Sequence, residues 1–299
     1  MAPMTSATGT SSIQTPDGRS LDLYLAGPPD GQVLLFHMGT PSASMPYPPA
    51  VDAMAQRGLR YVAFNRAGYG SSSRRAGRSV ADVVDDARTV LDHVGADHAV
   101  TIGWSGGGPH ALACGALLPD RIRAVATIAS IAPYPADGID YLAGMGDENI
   151  EEFNAALDSP GALIAFKERN WPIFREVTAS EVSDTFGDLI DDVDRGALTG
   201  EFADWVASSF REALRVSYWG WFDDDMAMIR PWGFDLDAIT VPVHVWQGRH
   251  DRMVPYAHGQ WLASRIPTAI PHLFDDQGHL SLAVDSMGWI LDELVVSGG

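Results

Sequence analysis

The chain has little of what would tie it to several common roles. It holds one cysteine, Cys114, in 299 residues. A single thiol can neither close an intrachain disulfide nor build a cysteine metal site. Its place in an apolar stretch of helical period marks it as a packed, inert thiol. There is one lysine, Lys167, and the formal net charge is −19. So acidic a balance argues against nucleic acid or an anionic membrane as partner, because the electrostatic contribution to either contact is repulsive. No stretch approaches the ~18 to 20 apolar residues of a membrane span. The opening MAPMTSATGTSS lacks the basic and apolar regions of a secretory leader. It reads as a disordered lead-in over 1–11, and the chain as a cytoplasmic protein. No internal repeat is present.

What is there is a globule with ample apolar residues for a core, at 46% of the composition. The length suits one α/β core carrying an insertion. Charge is segregated: between Asp137 and Asp235 there are 22 acidic residues against 7 basic ones. That segment is compositionally separate from the rest.

Ile13–Thr15 and Leu21–Leu25 alternate around Pro16-Asp17-Gly18, the pattern of a hairpin at a sheet edge. Val33–His37, Tyr61–Phe64, Ala99–Trp104, Ile122–Ile128 and Val241–Trp246 are short apolar runs, as expected of strands buried on both faces. Ala269–Phe274 is a last strand. Helical spacing is expected at Tyr47–Arg57, from Ser79 (as N-cap) to Val94, after Ser105, at Tyr256–Ser264 and from His279 to about Val296. Alternation of this kind predicts a mostly parallel sheet flanked by helices. It stops between Pro133 and Phe234, where the pattern is helical, acidic and rich in tryptophan. The expected organisation is therefore a core of 1–132 and 235–299 interrupted by a helical insertion, 133–234.

Strand, Gly103-Trp104-Ser105-Gly106-Gly107, then helix is the setting in which Gly-x-Ser-x-Gly becomes a nucleophile elbow. A serine hydroxyl needs a base to take its proton, and that base needs a carboxylate to orient it. In this setting the chain order is serine, acid, histidine. The chain offers Ser105, Asp251 and His279, each in a loop after an expected strand and so at the carboxyl edge of the sheet. Asp275 and Asp276 are rival acids, but they stand too near His279 and suit a helix cap or solvent. His110 lies about one and a half turns beyond Ser105 and reads as a packed or capping histidine. Two backbone N–H groups must hold the developing oxyanion. One is expected from Gly106 and one from Gly39 or Thr40, in the loop after Val33–His37.

Over about Ile13 to Val296 the chain resembles the α/β-hydrolase fold superfamily. The likeness rests on His37-Met38-Gly39-Thr40-Pro41, on Asn65-Arg66-Ala67-Gly68-Tyr69-Gly70-Ser71, on Gly103–Gly107, and on Gly248-Arg249-His250-Asp251 with Gly278-His279. It implies the α/β-hydrolase fold with the insertion as an α-helical cap, and Thr40, before the proline, as the second oxyanion donor. Asn65 stands where the family's loop has Asp; that loop is structural, so activity should survive the change. The resemblance implies a serine hydrolase needing no cofactor or metal. Its expected substrate is a small ester, thioester or amide, neutral or cationic with an apolar part.

Two other readings stay open: a proline-iminopeptidase-like aminopeptidase, whose acidic cap would take an amine, and a non-hydrolytic binding or tailoring member of the fold. Epoxide hydrolases and haloalkane dehalogenases share fold and cap but use an aspartate where Ser105 stands. The five insertion tryptophans (Trp171, Trp205, Trp219, Trp221, Trp232) suit either a pocket lining or packing of the cap. Asp223-Asp224-Asp225 reads as a solvated face rather than a metal site.

Overall fold

A computed structural model of the chain describes residues 9–299. Its strands are β1 Gly9–Gln14, β2 Ser20–Ala26, β3 Gln32–His37, β4 Leu59–Phe64, β5 Ala99–Trp104, β6 Ile122–Ile128, β7 Val243–Gly248 and β8 Ala269–Phe274. Among the described residues they make one sheet in the order β1-β2-β4-β3-β5-β6-β7-β8. The first hairpin turns through Pro16-Asp17-Gly18, and β2 runs antiparallel to β4. All later pairs are parallel. The expected free lead-in is shorter than 1–11, because Gly9–Ser11 already pair with Leu23–Leu25; the remainder of that stretch lies outside the described residues.

The helices are α1 Pro48–Ala55, α2 Val83–His93, α3 Gly108–Leu117, α4 Asp147–Asp158, α5 Pro160–Glu176, α6 Val182–Phe186, α7 Asp192–Ala197, α8 Gly200–Ala213, α9 Trp219–Met228, α10 Tyr256–Arg265, α11 His279–Asp285 and α12 Met287–Gly298. α2 and α3 bury Val84, Ala87, Leu91 and Leu112 with Leu35 and Val125 of the sheet. α1 and α12 bury Val51, Met54, Leu291 and Leu294 with Leu34 and Ile102 on the opposite face. Alternate side chains of each strand point to opposite faces, so continuous apolar runs are what a sheet covered twice requires. Each fully buried Leu or Val contributes about 1.5–3 kcal/mol.

Some boundaries shift for local reasons. Ser79 is not an N-cap: its N–H and hydroxyl both bond the Asp82 carboxylate, and α2 starts at Val83. β7 begins at Val243 rather than Val241, since Pro242 has no N–H to give the ladder. The final helix is two, α11 and α12, separated at Ser286. α4 to α9 all lie between β6 and β7, where strand alternation was expected to stop. Among the described residues no helix is long and apolar enough to cross a membrane.

Register sets the rest. His37, Gly103, Thr127, Val245 and Pro271 form one row across five parallel strands. Residues just beyond that row leave the sheet along one edge. Met38–Ser42, Ser105, His250–Asp251 and Asp275–His279 therefore emerge together.

Candidate active site

Ser105 has φ +55°, a left-handed conformation rare outside glycine. It costs about 1–2 kcal/mol. It is held by a backbone that only glycines allow to fold so tightly. A Cβ on Gly103 would drive into the Gly107 carbonyl, and one on Gly107 into the His37 carbonyl. Gly107→Ala is accordingly expected to cost about 1–3 kcal/mol in urea denaturation, from overpacking against backbone that cannot move aside. An unchanged unfolding midpoint would show that this contact is not what selects glycine.

The turn delivers Ser105 into a cavity that His279, Gly39, Thr40 and Gly106 also line. Among the described residues the Ser105 hydroxyl has no hydrogen-bond partner within the protein. Gly39 lies against it, for a Cβ there would come 3.1 Å from the Ser105 Cβ. Gly106 faces Thr40 in the same way: an added Cβ would sit 2.5 Å from Thr40 Oγ1. The loop after β3 thus covers the first turn after β5.

His279 is buried, and its Nδ1 lies 2.9 Å from Asp251 Oδ2. With Nδ1 engaged, Nε2 is the ring nitrogen left for other work. The ring stacks on Trp104, whose indole N–H donates to the His279 carbonyl at 3.3 Å. Asp251 stands behind the histidine, outside the cavity lining. Its Oδ1 accepts from the backbone N–H of Met253 (2.9 Å) and Val254 (2.7 Å), and its Oδ2 from Gln247 Nε2 (3.0 Å). Burial pushes the Asp251 carboxyl up, opposed by His279. Burial alone would lower His279, but the Asp251 charge and hydrogen bond, with a smaller contribution from Asp194, carry it above its ordinary value. The rival acids lie on the surface, Asp275 paired with Arg249.

The Met38–Ser42 loop is clamped from beneath. The Arg66 guanidinium donates to the Met38 and Gly39 carbonyls and to Thr40 Oγ1. The Thr40 hydroxyl in turn donates to Asp224 Oδ2 at 2.7 Å. Asp224 also takes Arg66, Arg78 (2.6 Å) and the Tyr69 hydroxyl (2.8 Å). Burial would raise this carboxyl, but Arg66, Arg78 and His110 together hold it well below the usual carboxylate range. α9 approaches this closely because Gly68 and Gly220 meet backbone to backbone: a Cβ on Gly220 would fall 2.7 Å from the Gly68 carbonyl carbon.

The expectation of a solvated Asp223–Asp225 face is therefore overturned. All three are buried, and no two share a cation. Asp223 pairs with Arg74, Asp224 with Arg66 and Arg78, and Asp225 with Lys167. The run stands among the apolar Phe222, Met226 and Met228, but the arginines it meets, at 66, 74 and 78, are distant in the chain, so nothing local in the sequence marked its burial. His110 is packed as expected, with Nε2 3.5 Å from Asp224. Cys114 is buried beside His37, and burial pushes its thiol up to about 12. Asn65 is a structural bridge: it accepts from the Ser44 N–H and donates to Asp22 and Tyr24, outside the cavity.

Much of the cavity wall is apolar, from Phe153, Phe174, Phe186, Leu189, Trp221 and Met228 among others. Of the five insertion tryptophans, Trp205 and Trp221 line it and the other three do not. One side carries carboxyls of Glu148, Glu152 and Asp225. Lys167, fully buried with its ammonium 3.6 Å from the Trp221 ring centre, is paired with both Glu152 and Asp225. Burial and the neighbouring Glu152 push Glu148 up to about 7, against the pull of Lys167. A second apolar cavity shares Met38, Trp104 and Trp205 with the first.

The family described as alpha/beta hydrolase fold matches residues 32–165. Epoxide hydrolase B of Mycobacterium tuberculosis is 32% identical over 154 residues, which are 49% of this chain and 42% of that protein. The chain thus matches less than half the length of that relative. A non-heme chloroperoxidase of Streptomyces lividans is 26% identical over 250 residues, 82% of this chain and 83% of the enzyme. An esterase structure from Exiguobacterium antarcticum superposes with a TM-score of 0.66 at 19% identity, covering 96% of this chain and 98% of the esterase.

Proposed function

We propose that this chain, which has the α/β-hydrolase fold and matches the family of that name over residues 32–165, is a serine hydrolase cleaving a small ester or thioester through an acyl-enzyme on Ser105. One observation carries the reading: His279 Nδ1 sits 2.9 Å from the buried Asp251 carboxylate while the histidine shares a cavity with a serine held at φ +55°. In this reading Ser105 Oγ attacks the carbonyl carbon and its proton passes to His279 Nε2. Asp251 holds the ring in the Nδ1–H tautomer and stabilises the imidazolium. The backbone N–H groups of Gly106 and Thr40 hold the oxyanion. The same imidazolium protonates the leaving alkoxide or thiolate. Water, deprotonated by His279, then releases the acid. The apolar wall is suited to the acyl or aryl part of the substrate, and the inserted helices act as the cap that shields the reaction from water.

This chemistry uses the chain's own side chains and a water molecule. An aspartate nucleophile, the device expected of epoxide hydrolases and haloalkane dehalogenases, is replaced at the elbow by Ser105. The carboxyls of Glu148, Glu152 and Asp225 on the cavity wall support a second reading, an aminopeptidase whose substrate amine they would receive.

Hydrolysis of p-nitrophenyl acetate, butyrate and octanoate, beside alanyl and prolyl p-nitroanilides, separates these readings. Turnover of esters with the anilides untouched is expected. Preference for an anilide would favour the aminopeptidase. No turnover of any of them, with no mass gain on Ser105 from a fluorophosphonate, would sink the hydrolase reading.

A further inference from the structure

The base-bearing segment is held from an unexpected side. Asp194, on α7 of the inserted helices, is wholly buried. Its Oδ2 accepts from the His279 N–H at 2.8 Å, and its Oδ1 from the N–H groups of Leu280 and Ser281 at 2.9 Å each. Among the described residues no basic side chain pairs with it, so three backbone N–H groups are what its carboxylate has. The fit also selects the residue before the histidine: a Cβ on Gly278 would collide with all three carboxylate atoms of Asp194. The Gly278 N–H is then closed off by Ser281 Oγ at 2.7 Å.

Neighbouring contacts repeat the arrangement on the acid loop. Asp191 accepts from the N–H groups of Val193 and Asp194 and pairs with His250 Nδ1 at 2.6 Å. The Asp188 carbonyl accepts from Arg252 Nε at 2.7 Å. His250 and Arg252 flank Asp251. Three aspartates of one inserted segment, 188, 191 and 194, thus hold the loops carrying the acid and the histidine.

We propose that Asp194 is a positioning residue for the base, through which the inserted helices fix the place of His279 and add a second carboxylate behind its imidazolium. The catalytic part of this inference rests on the serine-hydrolase reading; the placement of the ring does not. A charge that remains buried and fully hydrogen-bonded acts in a medium of low dielectric, where it is felt more strongly than in water. His279 is faced by Asp251 from the acid loop and by Asp194 from α7, and Ser105 lines the same cavity. Glu148, Glu152 and Asp225, with Lys167 beside them, lie on the wall of the same cavity. Asp194 differs from these wall groups in bonding the histidine's own backbone.

The test is an NMR titration of the His279 ring in the wild-type chain and in Asp194→Asn, assigned against His279→Gln. The asparagine keeps the shape and one acceptor but removes the charge. The ring is expected to titrate about half a pH unit or more lower in the variant. The acid limb of the kcat/KM profile should move the same way, with kcat falling roughly tenfold and KM little changed. A merely structural role would lower the melting temperature and leave both the titration and the pH limb in place, and that result overturns the proposal. Asp194→Ser, a shorter neutral acceptor, serves if the asparagine variant fails to fold. Amide exchange on the wild-type chain is a further check: rapid exchange at His279, Leu280 and Ser281 would overturn it whatever the variants do. If no ester is turned over, the hydrolase reading falls while the titration still decides the role of Asp194.

Discussion

Ser105→Ala is expected to lower kcat for p-nitrophenyl esters by about 10⁴- to 10⁶-fold while leaving the fold intact. The size of the effect follows from what the cavity offers instead. Of its other hydroxyls, Thr40 Oγ1 donates to Asp224 and Ser209 Oγ donates to the Ala43 carbonyl at 2.9 Å, and Ser42 lies on the loop after β3 rather than at the elbow. What would survive in the variant is binding and the proposed oxyanion donors, which accelerate attack by water only modestly. Alanine at φ +55° is no more strained than serine, so the melting temperature should change little. A variant retaining a tenth of wild-type activity would move the nucleophile elsewhere.

The second large effect is on stability. Asp224→Asn is expected to cost about 3–5 kcal/mol in urea denaturation, because it leaves two buried guanidinium groups without their countercharge. Arg66 and Arg78 are both almost fully buried and cannot turn to water. The acid dependence carries the same sign. Asp224 is held below its unfolded value, so its contribution is present above the ordinary carboxylate range and is lost as the pH falls through its folded value. The wild-type chain should therefore lose stability more steeply below about pH 4 than the variant does. Activity should fall as well, since Asp224 anchors Thr40 and, through Arg66, the Met38 and Gly39 carbonyls. A loss under about 1 kcal/mol would show that the cluster relaxes and that burial of the pair is worth little.

The strands were legible because their signal is local. β6 and β8 fall where apolar runs placed them, and the turn at Pro16-Asp17-Gly18 is written in its residues. The serine elbow was legible for the same reason: tight turns demand glycine at particular steps. Asp251 and His279 could be picked out because each follows a strand whose end was already located. The aspartates at 194 and 224 were not. Both look like members of an acidic helical segment, and helical spacing alone cannot say that a polar residue faces a guanidinium or a row of N–H groups. Burial of a charge is decided by partners distant in the chain. His279 lies 85 residues beyond Asp194, and Asp224 lies 158 beyond Arg66.

By itself the sequence determined the alternation of strands and helices, the place of the helical insertion, and the three residues proposed for nucleophile, acid and base. These follow from periodicity, turn chemistry and chain order, all of which act over a few residues. Only the tertiary structure decided how the acidic insertion meets the core. Three neighbouring aspartates on α9 turn to four cations, and the aspartates at 188, 191 and 194 hold the loops of the acid and the histidine. The physical reason is that an ion pair or a carboxylate on backbone N–H groups is short-ranged and directional. It exists only once the sheet has brought both partners to the same edge.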